Sequence, residues 1–292
     1  MSIRPSARPA LALAALALLA ACSSDSSTGP TGPQDVTINF AAAVGAQAFA
    51  CGQSYNSLGT TQATASATDF MLYVSDVRLL KADGSEVPVT LTQIPQWQLD
   101  NVALVDFATG GTGTACPNAT PEVNTRVVGT VPAGTYTGLR FQLGLPFEKN
   151  HIDQTTATGP LSLSRMFWSW NAGYKAVRLD LNTPGFANGW FIHLGSTGCT
   201  PTGSASTVPT SCAQPNRITV SFPTFDVTRD VVTADVAQLL AASNLTINQG
   251  GPAGCMSGTT DLDCPAIFTS FGLPFAGGTA PASQSFFRVV RR

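Results

Sequence analysis

The sequence predicts an all-β protein, an antiparallel β-sandwich with one short helix and long disulfide-stapled loops. Short runs of β-branched and aromatic residues alternate with polar ones, at the period of a strand with one buried face. Turn chemistry punctuates those runs, with 27 glycines and 20 prolines in 292 residues. Apart from Cys22, six cysteines remain, Cys51, Cys116, Cys199, Cys212, Cys255 and Cys264. An even number in an exported chain reads as three disulfides.

The strands follow in order. Asp35–Phe40 alternates cleanly, and so do Phe70, Leu72 and Val74. Val77–Leu80 continues to a turn at Asp83-Gly84 before Val87–Leu91, and Arg126–Val131 joins Thr135–Leu145 across Pro132-Ala133-Gly134. Further strands are expected at Ala176–Leu181, Trp190–Leu194, Arg217–Val227 and Gln284–Val290. Thr233–Leu240 reads as the short helix, with Thr233 as its N-cap. The stretches 195–215 and 248–262 are long polar loops that disulfides would order. Pairing nearest neighbours gives Cys199–Cys212 and Cys255–Cys264, leaving Cys51–Cys116, but sequence does not choose among the connectivities. No pair has the CxxC spacing of a zinc ribbon or thioredoxin site.

The N-terminus indicates export. Arg4 and Arg8 precede an apolar run from Ala10 to Ala21, shorter than the roughly 20 residues needed to span a bilayer. Leu19-Ala20-Ala21-Cys22 resembles the lipobox of bacterial lipoproteins. That resemblance implies a signal peptide over 1–21, cleavage before Cys22 and a diacylglycerol on its sulfur. Ser23 in place of Asp leans toward the outer membrane, so the expected location is the periplasm or cell surface. A Ser/Gly/Pro-rich tether over 22–34 leads into one β-sandwich domain over 35–292.

Composition excludes several classes. Charged residues make up 11%, against roughly 25% in an average domain, and the formal net charge is −2. Without a basic stripe there is no reason to expect nucleic acid. Nucleophile-elbow, zincin, phosphate-loop and haem-attachment motifs are all missing. The sequence therefore reads as a binding protein, not an enzyme.

Chemistry concentrates in one stretch. Met166-Phe167-Trp168-Ser169-Trp170-Asn171-Ala172-Gly173-Tyr174-Lys175 lies between the two histidines of the chain, His151 and His193. Imidazole suits copper and zinc. Alternation sends Trp190 and His193 to opposite faces of a strand, whereas Trp168 and Trp170 would share a face if extended. The bland alternative is aromatic packing with a hydrogen-bonded core histidine.

These segments, with Leu145-Pro146-Phe147-Glu148-Lys149-Asn150-His151, His193-Leu194-Gly195-Ser196-Thr197-Gly198-Cys199 and Cys255-Met256-Ser257-Gly258, resemble the MbnP-like family. The family comprises periplasmic or lipid-anchored copper-binding proteins, also described by a four-cysteine motif. The resemblance implies a di-haem partner similar to MauG and called MbnH, which oxidises a tryptophan to kynurenine. It also implies copper(I) as the bound metal, His151 and His193 as ligands, and Trp168 or Trp170 as the modified residue, without choosing between the indoles. Asn150 or Asp153 would orient His151, and Met256 is a possible soft neighbour. Six cysteines exceed the four of the motif, so one disulfide is an addition. The competing readings are an adhesion or surface-structural β domain with incidental histidines, and a periplasmic hydrolase whose site no motif marks.

Overall fold

The computed structural model describes residues 1–2, 32–201 and 207–292. Most of the expected signal peptide, Cys22 and most of the expected tether therefore lie outside the described residues. The main strands are β1 (Gln34–Val44), β2 (Ala63–Leu80), β3 (Val102–Asp106), β4 (Arg126–Val131), β5 (Gly138–Leu143), β6 (Gly173–Thr183), β7 (Phe186–Gly195), β8 (Ile218–Phe222), β9 (Asp230–Asp235) and β10 (Phe287–Arg291). The smaller sheet runs β10-β9-β1-β4 and ends on Thr90–Leu91. The larger runs β8-β5-β2-β6-β7 and ends on Gly254–Cys255, with β3 also on β2.

The two sheets form a sandwich. Val36, Ile38, Phe40 and Val127 of the smaller sheet meet Phe70, Leu72, Phe141 and Leu179 of the larger. Phe40 and Phe141 pack edge to face across the interface, with centroids 5.7 Å apart. Most ladders are antiparallel, as expected. The exceptions are β1 with β9 and β7 with Gly254–Cys255, which run parallel.

The helices differ from expectation, with three short α-helices among the described residues in place of one: α1 (Phe147–Asn150), α2 (Val236–Leu240) and α3 (Cys264–Phe271). The predicted helix begins later than Thr233. That residue belongs to β9, where the β-branched run Val231-Val232-Thr233 pairs with β1. Asp235 is the cap, its carboxylate accepting from the amides of Ala237 and Gln238. In α3, Ile267, Phe268 and Phe271 reach the core, and Phe271 packs on Phe286 at 5.0 Å. Pro265 sits at the start of α3 and Gly272 ends it in the left-handed conformation.

Three disulfides form, Cys51–Cys116, Cys199–Cys212 and Cys255–Cys264, which is the nearest-neighbour pairing. Cys199–Cys212 crosses a hairpin between Thr197–Thr200 and Ser211–Gln214 inside the expected polar loop. Cys255–Cys264 ties α3 to the edge of the larger sheet.

What positions the site is the outer face of the larger sheet. Strand alternation gives Phe70, Leu72 and Leu179 to the sandwich interior and Asp69, Met71, Arg178 and Asp180 to the other side. There a second apolar cluster forms, in which Met71, Tyr73 and Leu104 meet Leu145, Leu161, Met166 and Tyr174. The segment from Leu145 to Tyr174 is thus a cover over the outer face, and it carries the Trp-x-Trp stretch and His151.

Candidate metal centre

His193 lies on β7, opposite Arg178 of β6, and is 6% exposed. Its neighbour Trp190 is fully buried in the sandwich core, so the two do point to opposite faces. The Nε2 of His193 is 2.6 Å from Oδ1 of Asp180. A carboxylate can only accept here, so Nε2 carries the proton and Nδ1 keeps its lone pair. Among the described residues the hydrogen bond of this ring is the one at Nε2. Trp168 stands beside this ring, with centroids 6.4 Å apart, and Phe191 flanks it at 5.4 Å.

His151 follows α1 and is also buried. Its Nδ1 donates to the carbonyl of Trp170 at 2.8 Å, which leaves the Nε2 lone pair free to accept. Asn150 Nδ2 lies 3.1 Å from that nitrogen and Cys212 Sγ lies 3.4 Å from it. Asn150 also holds the cover in place, because its Oδ1 accepts from the Tyr174 amide at 2.9 Å. Asp153 plays no such part; its carboxylate accepts from Thr155 of its own turn. Met256 is half-buried, and it is the adjacent Ser257 that matters, donating to the His193 carbonyl and accepting from the Gly195 amide, both at 3.0 Å.

The expectation that Trp168 and Trp170 share a face does not hold. The strand spans only Phe167–Ser169, its register slips before Ser169, and Trp170 opens a turn that Gly173 completes at φ 77°. Residue 173 must be glycine there, because Asn150 fills the space where its Cβ would stand. Trp168 consequently faces His193, while Trp170 meets His151 through its backbone carbonyl. Among the described residues no hydrogen bond or ring contact joins the two histidines.

A buried charge network supports the His193 side, and sequence reading passed over it. Arg178 pairs with Asp69 at 2.9 Å and, in a short contact, with Asp180. Arg165 lies 3.6 Å from both Asp69 and Asp106. Lys175 donates to the Arg165 carbonyl at 2.8 Å and sits 5.3 Å from the Trp168 ring centre, a cation–π arrangement. The available signal was Arg178 and Asp180 at alternate positions of an apolar strand, in a chain with so few charges.

Burial dominates the titration of these groups. It pushes Asp69 and Asp106 up to about 6 despite Arg165 nearby, and it lowers Lys175 to about 8. It also lowers both histidines from 6.5, with the contacts to Trp170 and Asp180 opposing it. Histidine pKa values below those of the unfolded chain keep both imidazoles neutral, a stabilisation present above 6.5 and lost as pH falls through the folded values. For Asp69 and Asp106 the sign reverses: the fold holds protons that the unfolded chain releases, so their contribution is lost as pH rises from about 4 to about 6. In the metal-free protein, NMR titration is expected to show both imidazole midpoints below 6.5. A midpoint at or above that value contradicts the assigned burial.

The sequence profile of the MbnP family matches residues 33–257. The chain belongs to the MbnP family. The solved structure of MbnP from Methylosinus trichosporium superposes on it with a TM-score of 0.79 at 32% identity, covering 89% of this chain and 99% of that one. Among curated proteins there is no match. Membership takes in the outer-face cover, both histidines, the Trp-x-Trp stretch and the hairpin with Cys199 and Cys212, all of which fall within the matched residues.

Proposed function

We propose that this MbnP-family protein is an exported, lipid-anchored copper(I)-binding protein acting in copper homeostasis. Trp168 becomes kynurenine through a di-haem, MauG-like partner, and the protein has no catalytic role of its own. One observation carries the reading. Each histidine donates one ring N–H to a fixed acceptor, Asp180 or the Trp170 carbonyl, and keeps its other nitrogen as a lone pair. Metal-ligating histidines are oriented in this way. A neutral nitrogen pair suits a soft monovalent cation that tolerates low coordination.

Trp168 is favoured over Trp170 because its ring adjoins His193, whereas Trp170 contributes only a carbonyl to His151. Kynurenine would add an aniline nitrogen and a ketone beside an imidazole, donors that a neutral indole lacks. The disulfides suit an oxidising compartment, and Cys22 would supply the anchor.

The test is co-production with the di-haem partner, followed by peptide mass mapping and copper(I) competition against a chromophoric chelator. Wild type and W170F should show the kynurenine mass shift, and W168F should not. H151A and H193A should each lose copper. A shift retained in W168F would overturn the choice of indole, and copper kept by the double alanine variant would overturn the ligand assignment.

A further inference from the structure

We propose that the Cys199–Cys212 disulfide is a redox-gated metal site. Opened by a dithiol reductant, its two sulfurs join His151 in a two-thiolate, one-imidazole set for a soft cation such as copper(I) or zinc(II). The site shares His151 with the copper reading above, but it needs neither His193 nor an oxidised tryptophan.

The donor atoms of His151, Cys199 and Cys212 all lie within 4.8 Å of one another. The imidazole Nε2 that keeps its lone pair is the atom 3.4 Å from Cys212 Sγ. Thiolate with imidazole is a donor set that selects soft or borderline cations. Among the described residues, neither Cys51–Cys116 nor Cys255–Cys264 belongs to such a group.

The cluster does not depend on the S–S bond for its placement. The hairpin pairs Thr197 with Gln214 and Thr200 with Ser211 on either side of the cysteines. Beyond it, Ser196 Oγ donates to the Pro215 carbonyl at 3.1 Å, and Asn216 Nδ2 donates to the Gly195 carbonyl at 2.7 Å. His151 is held from a separate segment through Nδ1 by the Trp170 carbonyl, and the Asn150 amide 3.1 Å from Nε2 is the contact a metal would displace. Breaking the disulfide would leave two thiols facing a fixed imidazole.

Access is provided by a cavity of about 390 Å³ lined by Cys212, Asn150, Ser196, Phe147 and Leu145. Reduction transfers two electrons and two protons from the dithiol. The Sγ–Sγ bond breaks, Cys199 and Cys212 become thiols, and the reductant leaves as its own disulfide. Metal binding then displaces the thiol protons, so the closed disulfide is the metal-free state.

The experiment uses folded protein made without the di-haem partner, reduced with dithiothreitol and titrated with cadmium(II). Thiolate-to-cadmium absorption and alkylation mapping provide the readouts. Reduced wild type is expected to bind one cadmium(II) per chain with this absorption, and oxidised protein to show none. H151A should weaken binding by roughly tenfold or more, the scale set by losing an orienting or ligating group. The C199S/C212S double variant should lose the absorption. H193A should keep it, so failure of the copper reading and failure of this one are distinguishable. Equal cadmium affinity in reduced wild type and H151A would overturn the proposal, as would absorption persisting in C199S/C212S. A Cys199–Cys212 bond that stays closed to dithiothreitol in the folded protein would overturn it equally.

Discussion

Replacing Asp180 with alanine is expected to lower unfolding free energy by about 3 kcal/mol, the scale for removing one partner of a buried ion pair. Asp180 is 4% exposed and lies between two dependants, Arg178 and His193. Its loss leaves Arg178 with Asp69 alone, so the penalty should sit toward the lower end of the range for such breaks. His193 would lose the acceptor that fixes its tautomer, and metal affinity should fall about 10- to 100-fold, as for other orienting partners. Asp180→Asn separates the two effects. The amide oxygen can still accept from His193 Nε2 but carries no charge for Arg178. Denaturant unfolding and chelator competition should therefore show Asp180→Asn losing more stability than affinity. Equal stability for wild type and Asp180→Ala would show that the buried network does not behave as an ion-paired unit.

Gly195→Ala is expected to displace Trp168 while leaving both histidines in the chain. A methyl at residue 195 would overlap Cζ3 of Trp168 and stand 3.0 Å from Cη2. Overpacking of this kind costs about 1–3 kcal/mol, and here the indole must swing or β7 must shift. Ser257 bonds the Gly195 amide and the His193 carbonyl, so β7 is held and the indole should give way. The signatures are a changed tryptophan emission spectrum and a sharply lower yield of kynurenine after partner treatment. An unchanged yield would separate the oxidation from the Trp168–His193 contact. Gly195 thus serves the site by what it lacks: its backbone needs no special conformation, and the space beside it belongs to an indole.

Much of the sandwich was legible because its signal is local. Arg126–Val131 appears at its predicted bounds, and the alternation around Phe70, Leu72 and Val74 marks the strand face that enters the core. The errors also have local causes. Thr233 looked like a cap, but it follows two valines whose strand pairing outweighs a hydroxyl's capping preference, and the stronger cap, Asp235, lies two residues on. α3 has no counterpart among the sequence expectations, and it is the disulfide at Cys264 and the aromatic core around Phe286 that anchor it. The site was half visible. His151, His193 and the indoles stood out as rare residues in one region. Asp180, Lys175 and Arg178 did not, because a charged residue in a strand declares its partner only when the neighbouring strand is known.

Sequence by itself determined which residues could do chemistry, which faces of the strands would be buried, and that six cysteines were available to pair. Tertiary structure decided which of those residues meet. It set Trp168 against His193 and only the backbone of Trp170 against His151, because the chain turns after Ser169 and the Trp170 carbonyl in that turn accepts from His151 Nδ1. It placed His151 at Cys212 by bringing the Thr197–Gln214 hairpin against the residue that follows α1. Strand periodicity is a property of neighbours in the chain, and sequence can carry it. The convergence of donors from the cover, β7 and the hairpin is a property of packing, which only the assembled sheets can fix.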